Sequence, residues 1–268
     1  MKLLRRILAK LSARRGDVDP AGNVYQLLQE AHAHMQLQEY DKARVLLLQT
    51  IGYRDSIRDP TAISYILMAL GTTWLLPEKY EDGIAFFSGY INRYPEDSEA
   101  YCARAEALWY TGRLQDAIRD YSRALELKPS DISSLSGQGQ VLAEVGEHGK
   151  AMNDLDLALR AVKTAHVPDS SWTKWYEQIE AFIHNGRGFA LAGLGEGGAA
   201  FDEFDVSIGL SPKNAWVYHN RAQVYDLAGN REKASADYQN ALIQQHPALT
   251  PNKRNHAQAR LRELQSRS

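Results

Sequence analysis

Residues Ser98–Asp131 read SEAYCARAEALWYTGRLQDAIRDYSRALELKPSD, and the organisation of the chain follows from them. Tyr101, Ala105 and Leu108 recur at helical spacing before Thr111-Gly112-Arg113, and Ala117, Ile118, Tyr121, Ala124 and Leu125 do so after it. Gly112 is placed to stop the first helix and Pro129 to end the second. The stretch therefore predicts a helix, a tight turn and an antiparallel helix, with Ala105 and Ala117 letting the two backbones approach.

The pattern returns along the chain. Repeats can be set at 24–57, 64–97, 98–131, 132–165, 181–214 and 215–248, with insertions at 58–63 and 166–180. Their eighth residues are Ala31, Gly71, Ala105, Gly139, Gly188 and Ala222, and their twentieth are Ala43, Gly83, Ala117, Ala151, Ala200 and Ala234. Each twenty-fourth residue is large: Leu47, Phe87, Tyr121, Leu155, Phe204 and Tyr238. The first two repeats depart at the turn, where Gln38 and Glu78 replace glycine, and Tyr90 stands where a small residue is usual. With these residues the chain resembles the tetratricopeptide-repeat family, whose unit is a helix–turn–helix of this length. The resemblance implies an all-α, right-handed superhelical solenoid of about six units.

Outside the repeats, residues 1–15 place Leu3, Leu4, Ile7, Leu8 and Leu11 on one helical face and six cations on the rest, before the first acid, Asp17. A helix this short is marginal alone. Three readings stand together: packing on the body, anchoring at an anionic membrane surface, or serving as a presequence. Residues 16–23 read as a linker. In the second insertion, Val167-Pro168-Asp169 precedes Trp172, Trp175, Ile179, Phe182 and Ile183 on one face, which predicts a first helix lengthened at its amino end. Thr250-Pro251 opens a capping helix within 249–268, read with Ala257, Leu261 and Leu264 inward and Lys253, Arg254, Arg260 and Arg262 outward.

Composition narrows the function classes. The 268 residues carry a formal net charge of −2, so nucleic acid is not expected as a partner. A single cysteine, Cys102, excludes an internal disulfide and fits either a reducing, cytoplasmic setting or indifference to redox. No apolar run is long enough for a transmembrane helix, and no secretory signal is expected. No metalloprotease, P-loop or calcium-loop motif occurs. His32 and His34 lie on different helical faces, a poor metal pair. Gly193, Gly195 and Gly198 match dinucleotide-binding spacing but follow a predicted helix, where that motif needs a strand. The chain is read as a non-enzyme without cofactor or metal.

Binding remains. The resemblance implies that first helices line a concave groove holding a protein or peptide segment, which makes the chain an adaptor or scaffold. Carried over repeat by repeat, the groove candidates are Tyr65, Glu99, Cys102, Glu106, Trp109, Tyr110, Gln140, Asn185, Phe189, Trp216, His219, Gln223 and Asp226. The set is aromatic and acidic and holds no Lys or Arg. One subgroup of the family clamps a carboxy-terminal carboxylate with cations on successive first helices. Here Arg104, Arg187 and Arg221 stand one residue on, placed to brace the second helix, so that clamp is not expected. For Trp109, Phe189 and Trp216 the competing reading is burial between repeats. Two alternative functions are a membrane-surface assembly factor anchored by residues 1–15 and a self-associating structural protein.

Overall fold

A computed structural model describes residues 20–165, 170–244 and 249–266. The basic segment 1–15, the start of the 16–23 linker and the Val167-Pro168-Asp169 loop lie outside the described residues, as does the side chain of Trp172. Among the described residues there are helices and no strands. They fall into two compact units divided between Pro129 and Ser130.

The amino-terminal unit holds α1 (Pro20–Gln36), α2 (Tyr40–Ile51), α3 (Pro60–Leu75), α4 (Tyr80–Arg93), α5 (Ser98–Tyr110) and α6 (Leu114–Leu127). The carboxy-terminal unit holds α7 (Ile132–Glu144), α8 (His148–Thr164), α9 (Ser170–Gly193), α10 (Gly197–Leu210), α11 (Ala215–Leu227), α12 (Arg231–Ile243) and α13 (Pro251–Ser266). The first helix begins at Pro20, inside the stretch read as a linker, and α9 runs for 24 residues. Asp59, Asp131, Asn214 and Asn230 cap α3, α7, α11 and α12 by accepting from backbone N–H groups of the first turn.

Each helix pair is closed by the same turn. The fifteenth residue of the repeat has positive φ in all six: Gln38 at 59° and Glu78 at 58°, then Gly112, Gly146, Gly195 and Gly229 between 74° and 87°. The next amide bonds back to the fifth carbonyl before it, as Arg113 N–H does to Leu108 O at 2.9 Å and Lys79 N–H to Trp74 O at 2.8 Å. This satisfies carbonyls that a helix end would otherwise leave open.

In the fourth and fifth pairs the small eighth and twentieth residues bring the backbones together, Gly139 against Ala151 and Gly188 against Ala200, whereas in the second pair Gly71 faces Ala103 of the next first helix and Gly83 faces Trp74. The large twenty-fourth residues, Leu47, Phe87, Tyr121, Leu155, Phe204 and Tyr238, are all fully buried. The fit at Gly139 is tight: a Cβ there would stand 2.6 Å from Leu155 Cγ.

A second register is polar. Arg104 donates to both carboxylate oxygens of Asp120 on its own second helix, at 2.6 and 2.7 Å, and to Ser88 on the preceding second helix at 3.1 Å. Arg221 does the same with Asp237 and Asp205, and Arg187 reaches Asp156 and, through two nitrogens, Oε1 of Glu203, whose Oε2 pairs with His184 at 2.5 Å. The three arginines brace the second helix, and each also ties in the second helix of the repeat before.

Tyr90 is accommodated by the turn just ahead of the first insertion. Its hydroxyl donates to Asp97 at 2.6 Å, while Arg54, in the short 3-10 turn Arg54–Ser56, donates to both Asp97 oxygens at 3.0 Å and to the Tyr90 oxygen at 3.2 Å. The large residue is thus buried with its polar end satisfied, as a buried phenol requires.

Candidate functional site

In the amino-terminal unit the first helices are α1, α3 and α5. Tyr65, Glu99, Glu106 and Tyr110 are half-buried there, whereas Cys102 and Trp109 are buried. Tyr65 shares a hydrogen with His32 Nδ1 at 2.9 Å, and burial pushes its phenol up to about 12. Burial alone would raise the Glu99 carboxyl, but bonds from Ser64 at 2.8 Å and Lys128 at 3.0 Å outweigh it and hold Glu99 below the usual carboxylate range. Tyr110 packs at 5.3 Å from Tyr80 and edge-on to Trp109. Behind them Tyr121 is fully buried, its phenol pushed well up by burial and by the charge of Glu106. Its hydroxyl finds no hydrogen-bond partner among the described residues.

In the carboxy-terminal unit the first helices are α7, α9 and α11. Gln140, Asn185, Trp216 and His219 are buried, and Phe189, Gln223 and Asp226 half-buried. Gln140 donates to Phe182 O at 2.6 Å, and Asn220 donates to Asn185 at 3.1 Å. These residues hold first helices to one another. Burial between helices therefore claims Trp109 and Trp216, while Phe189 keeps an open edge.

The structure corrects the capping helix. Lys253 and Arg260, read as facing outward, turn in toward the groove candidates. Lys253 Nζ lies 2.8 Å from Glu144 of α7, with both side chains only 15% exposed, and 4.9 Å from the Trp216 ring centroid. Arg260 grips both oxygens of Asp226, at 2.8 and 3.0 Å. His256 and His219 approach to 3.1 Å between ring nitrogens. Burial, then Lys253 and His256, push the His219 imidazole down to about 3, so it is neutral. The surface expected to lack cations thus receives two from α13. The signal was present: 253, 257, 260 and 264 share one helical face, and Ala257 and Leu264 on it are buried.

The glycine triplet sits at the α9–α10 turn, with Gly193 against the His148 ring and Gly195 at φ 86°. Helix rather than strand precedes it, so it lacks the geometry of a dinucleotide site. Among the described residues no cluster of His, Cys, Asp or Glu could hold a metal ion, and no helix is long and apolar enough to cross a membrane.

Comparison with known proteins agrees with the repeat geometry. Tetratricopeptide-repeat models match residues 98–131 and 217–242. The chain is similar to Hsp70-Hsp90 organizing protein 2 of Arabidopsis thaliana, at 26% identity over 156 residues, covering 57% of this chain and 26% of that protein. It is also similar to tetratricopeptide repeat protein 6 of Homo sapiens, at 22% identity over 61% of this chain and 29% of that protein. It spans about a quarter of the length of the curated relatives it matches. Among solved structures, a tetratricopeptide repeat protein from Parabacteroides merdae matches 91% of this chain and 99% of its own, at TM-score 0.53 and 15% identity. A chain of the APC/C hetero-tetramer Cut9–Hcn1 matches 98% of this chain and 46% of its own, at TM-score 0.67 and 16% identity. At such identities the structural likeness speaks for the fold alone. Fold, family models and the register of turn and packing residues agree: the chain is a tetratricopeptide-repeat protein.

Proposed function

We propose that the protein is a non-catalytic adaptor that holds a protein or peptide segment on the first-helix faces of its repeats. The observation that carries this reading is the partly exposed row of Tyr65, Glu99, Glu106 and Tyr110 on α3 and α5, acidic and aromatic above a buried aromatic floor. Aromatic residues with one open edge suit a binding surface, because they add contact area at little cost in side-chain freedom. The Hsp70-Hsp90 organizing proteins among the relatives support an assembly role of this kind. Arg104, Arg187 and Arg221 are committed to carboxylates of second helices, which argues against a clamped terminal carboxylate. The ligand is an internal segment that brings its own cations or hydroxyl donors to Glu106, in a reducing compartment such as the cytoplasm.

The test is affinity capture with the full chain and with Glu106→Lys combined with Tyr110→Ala, with each thermal midpoint read separately. The captured partner is lost from the variant while its helical signal persists. Undiminished capture would place the binding surface elsewhere.

A further inference from the structure

We infer that the first-helix surface of the carboxy-terminal unit is a seat for a cationic helix, and that α13 occupies it as a releasable strap. The inference deepens the adaptor reading and rests on it only for the name of the surface. Trp216, His219, Gln223 and Asp226 of α11 stand at the places from which a ligand would be held, and Glu144 of α7 stands with them. Lys253, His256 and Arg260 meet all but Gln223 of these, by the ion pairs and ring contacts given above. Gln223 lines a cavity of about 260 Å³ with Asp226, Leu227, Tyr238, His256 and Arg260. The chemistry is complementary: carboxylates on the seat, cations seven residues apart on the occupant.

The hold is loose. The backbone of α13 packs against α12, and α11 is reached through long side chains across that incompletely filled cavity. Only Ala257 and Leu264 are buried within α13, with Leu249 and Thr250 ahead of it. His256 is exposed, and Leu227 at the cavity lies 88% exposed. A helix held by charge over a void exchanges more readily than one locked by packing. A competitor with the same cation spacing and a larger apolar side chain at the place of His256 would fill the void that α13 leaves.

The probe is a fluorescein-labelled peptide copy of residues 249–266, titrated into the full chain and into the full chain carrying Lys253→Glu and Arg260→Glu. Reversed charges repel the resident helix from Glu144 and Asp226 and free the seat. The variant therefore binds the peptide at least tenfold more tightly than the unaltered chain does. Binding weakens with added salt, since exposed ion pairs are screened, and it disappears for a peptide with the same two reversals. Equal binding by both chains, or none by a variant that keeps its helical circular dichroism, overturns the proposal. Should the variant fail to fold, hydrogen exchange on the unaltered chain decides: amides of α13 exchange faster than those of α11 and α12, and equal protection makes α13 a fixed cap. The adaptor reading fails separately, because Glu106→Lys with Tyr110→Ala leaves peptide binding unchanged.

Discussion

Arg221 grips both carboxylate oxygens of Asp237, at 2.7 and 3.0 Å, and reaches across to Asp205 at 2.7 Å. The two acids differ in burial: the Asp237 side chain is 5% exposed and that of Asp205 70%. Removing a partner from a sheltered pair strands the remaining charge and costs about 3 kcal/mol, whereas an exposed pair contributes under about 1 kcal/mol. Asp237→Ala thus lowers the urea midpoint several times more than Asp205→Ala does. Equal effects would mean that the arginine is solvated well enough to do without either.

The turns of the first two repeats carry strain that glycine would relieve. Gln38 and Glu78 sit at φ 59° and 58°, where a side chain costs about 1–2 kcal/mol. Gln38→Gly and Glu78→Gly each raise stability by about 0.5–1 kcal/mol, the strain being partly offset by the greater freedom of unfolded glycine. Gly112→Ala moves the thermal midpoint the other way.

Two glycines within helices respond oppositely to alanine. At Gly139 a Cβ would meet Leu155 at 2.6 and 2.9 Å, so Gly139→Ala overpacks the pair and costs about 1–3 kcal/mol. At Gly89, inside α4, a Cβ meets nothing within 4 Å, so Gly89→Ala gains about 0.5–1 kcal/mol of helix preference. Denaturant unfolding of both variants checks the contrast.

Acid loosens the α11–α13 contact. The His219 imidazole is pushed down to about 3 by burial, then by Lys253 and His256, and His256 is itself lowered by burial and Arg260. The unfolded chain takes up a proton near 6.5 and the folded one resists it, so stability is greatest above that value. It falls as the pH drops toward about 3, by at most about 1.4 kcal/mol per pH unit for one proton. Asp154 works against this: burial raises it to about 6, so its contribution is full below about 3.8 and is lost as the pH rises through 6. Thermal midpoints between pH 7 and 4 fall less steeply for His219→Gln than for the unaltered chain. Parallel slopes would locate the acid sensitivity elsewhere.

The repeat was legible because its determinants are local. Gly139 and Ala151, or Gly188 and Ala200, meet within one helical pair, so their spacing survives in the sequence as a period. Gln38 and Glu78 looked like departures from a glycine and take the glycine conformation. The groove was less legible. Cys102, Trp109, Gln140, Asn185, Trp216 and His219, carried over as ligand-facing, are buried: Gln140 and Asn185 bond to neighbouring first helices, and Lys253 and His256 of α13 reach Trp216 and His219. Lys253 was assigned to solvent by its charge, although its position shares a face with Ala257. A lysine can run its apolar stem along Trp216 and still deliver its ammonium to Glu144, and only the distant α7 shows that it does.

The arginine braces also make repeat order a matter of syntax. Asp156 and Asp205 each end as the partner of an arginine in the next repeat, Arg187 and Arg221, while Ser88 precedes Arg104 and Leu48 stands in the same register before Leu70. The second helices of the second, fourth and fifth repeats thus each carry a partner for an arginine of their successor. Shuffling intact repeats would preserve every turn and every small-to-large pair, yet put Asp205 before Leu70 or Leu48 before Arg221. Neighbours of that kind would keep the packing within each pair and join badly, and a repeat needs its neighbours to bury its apolar face, so the order of the repeats is set by chemistry at their seams as much as by the covalent chain.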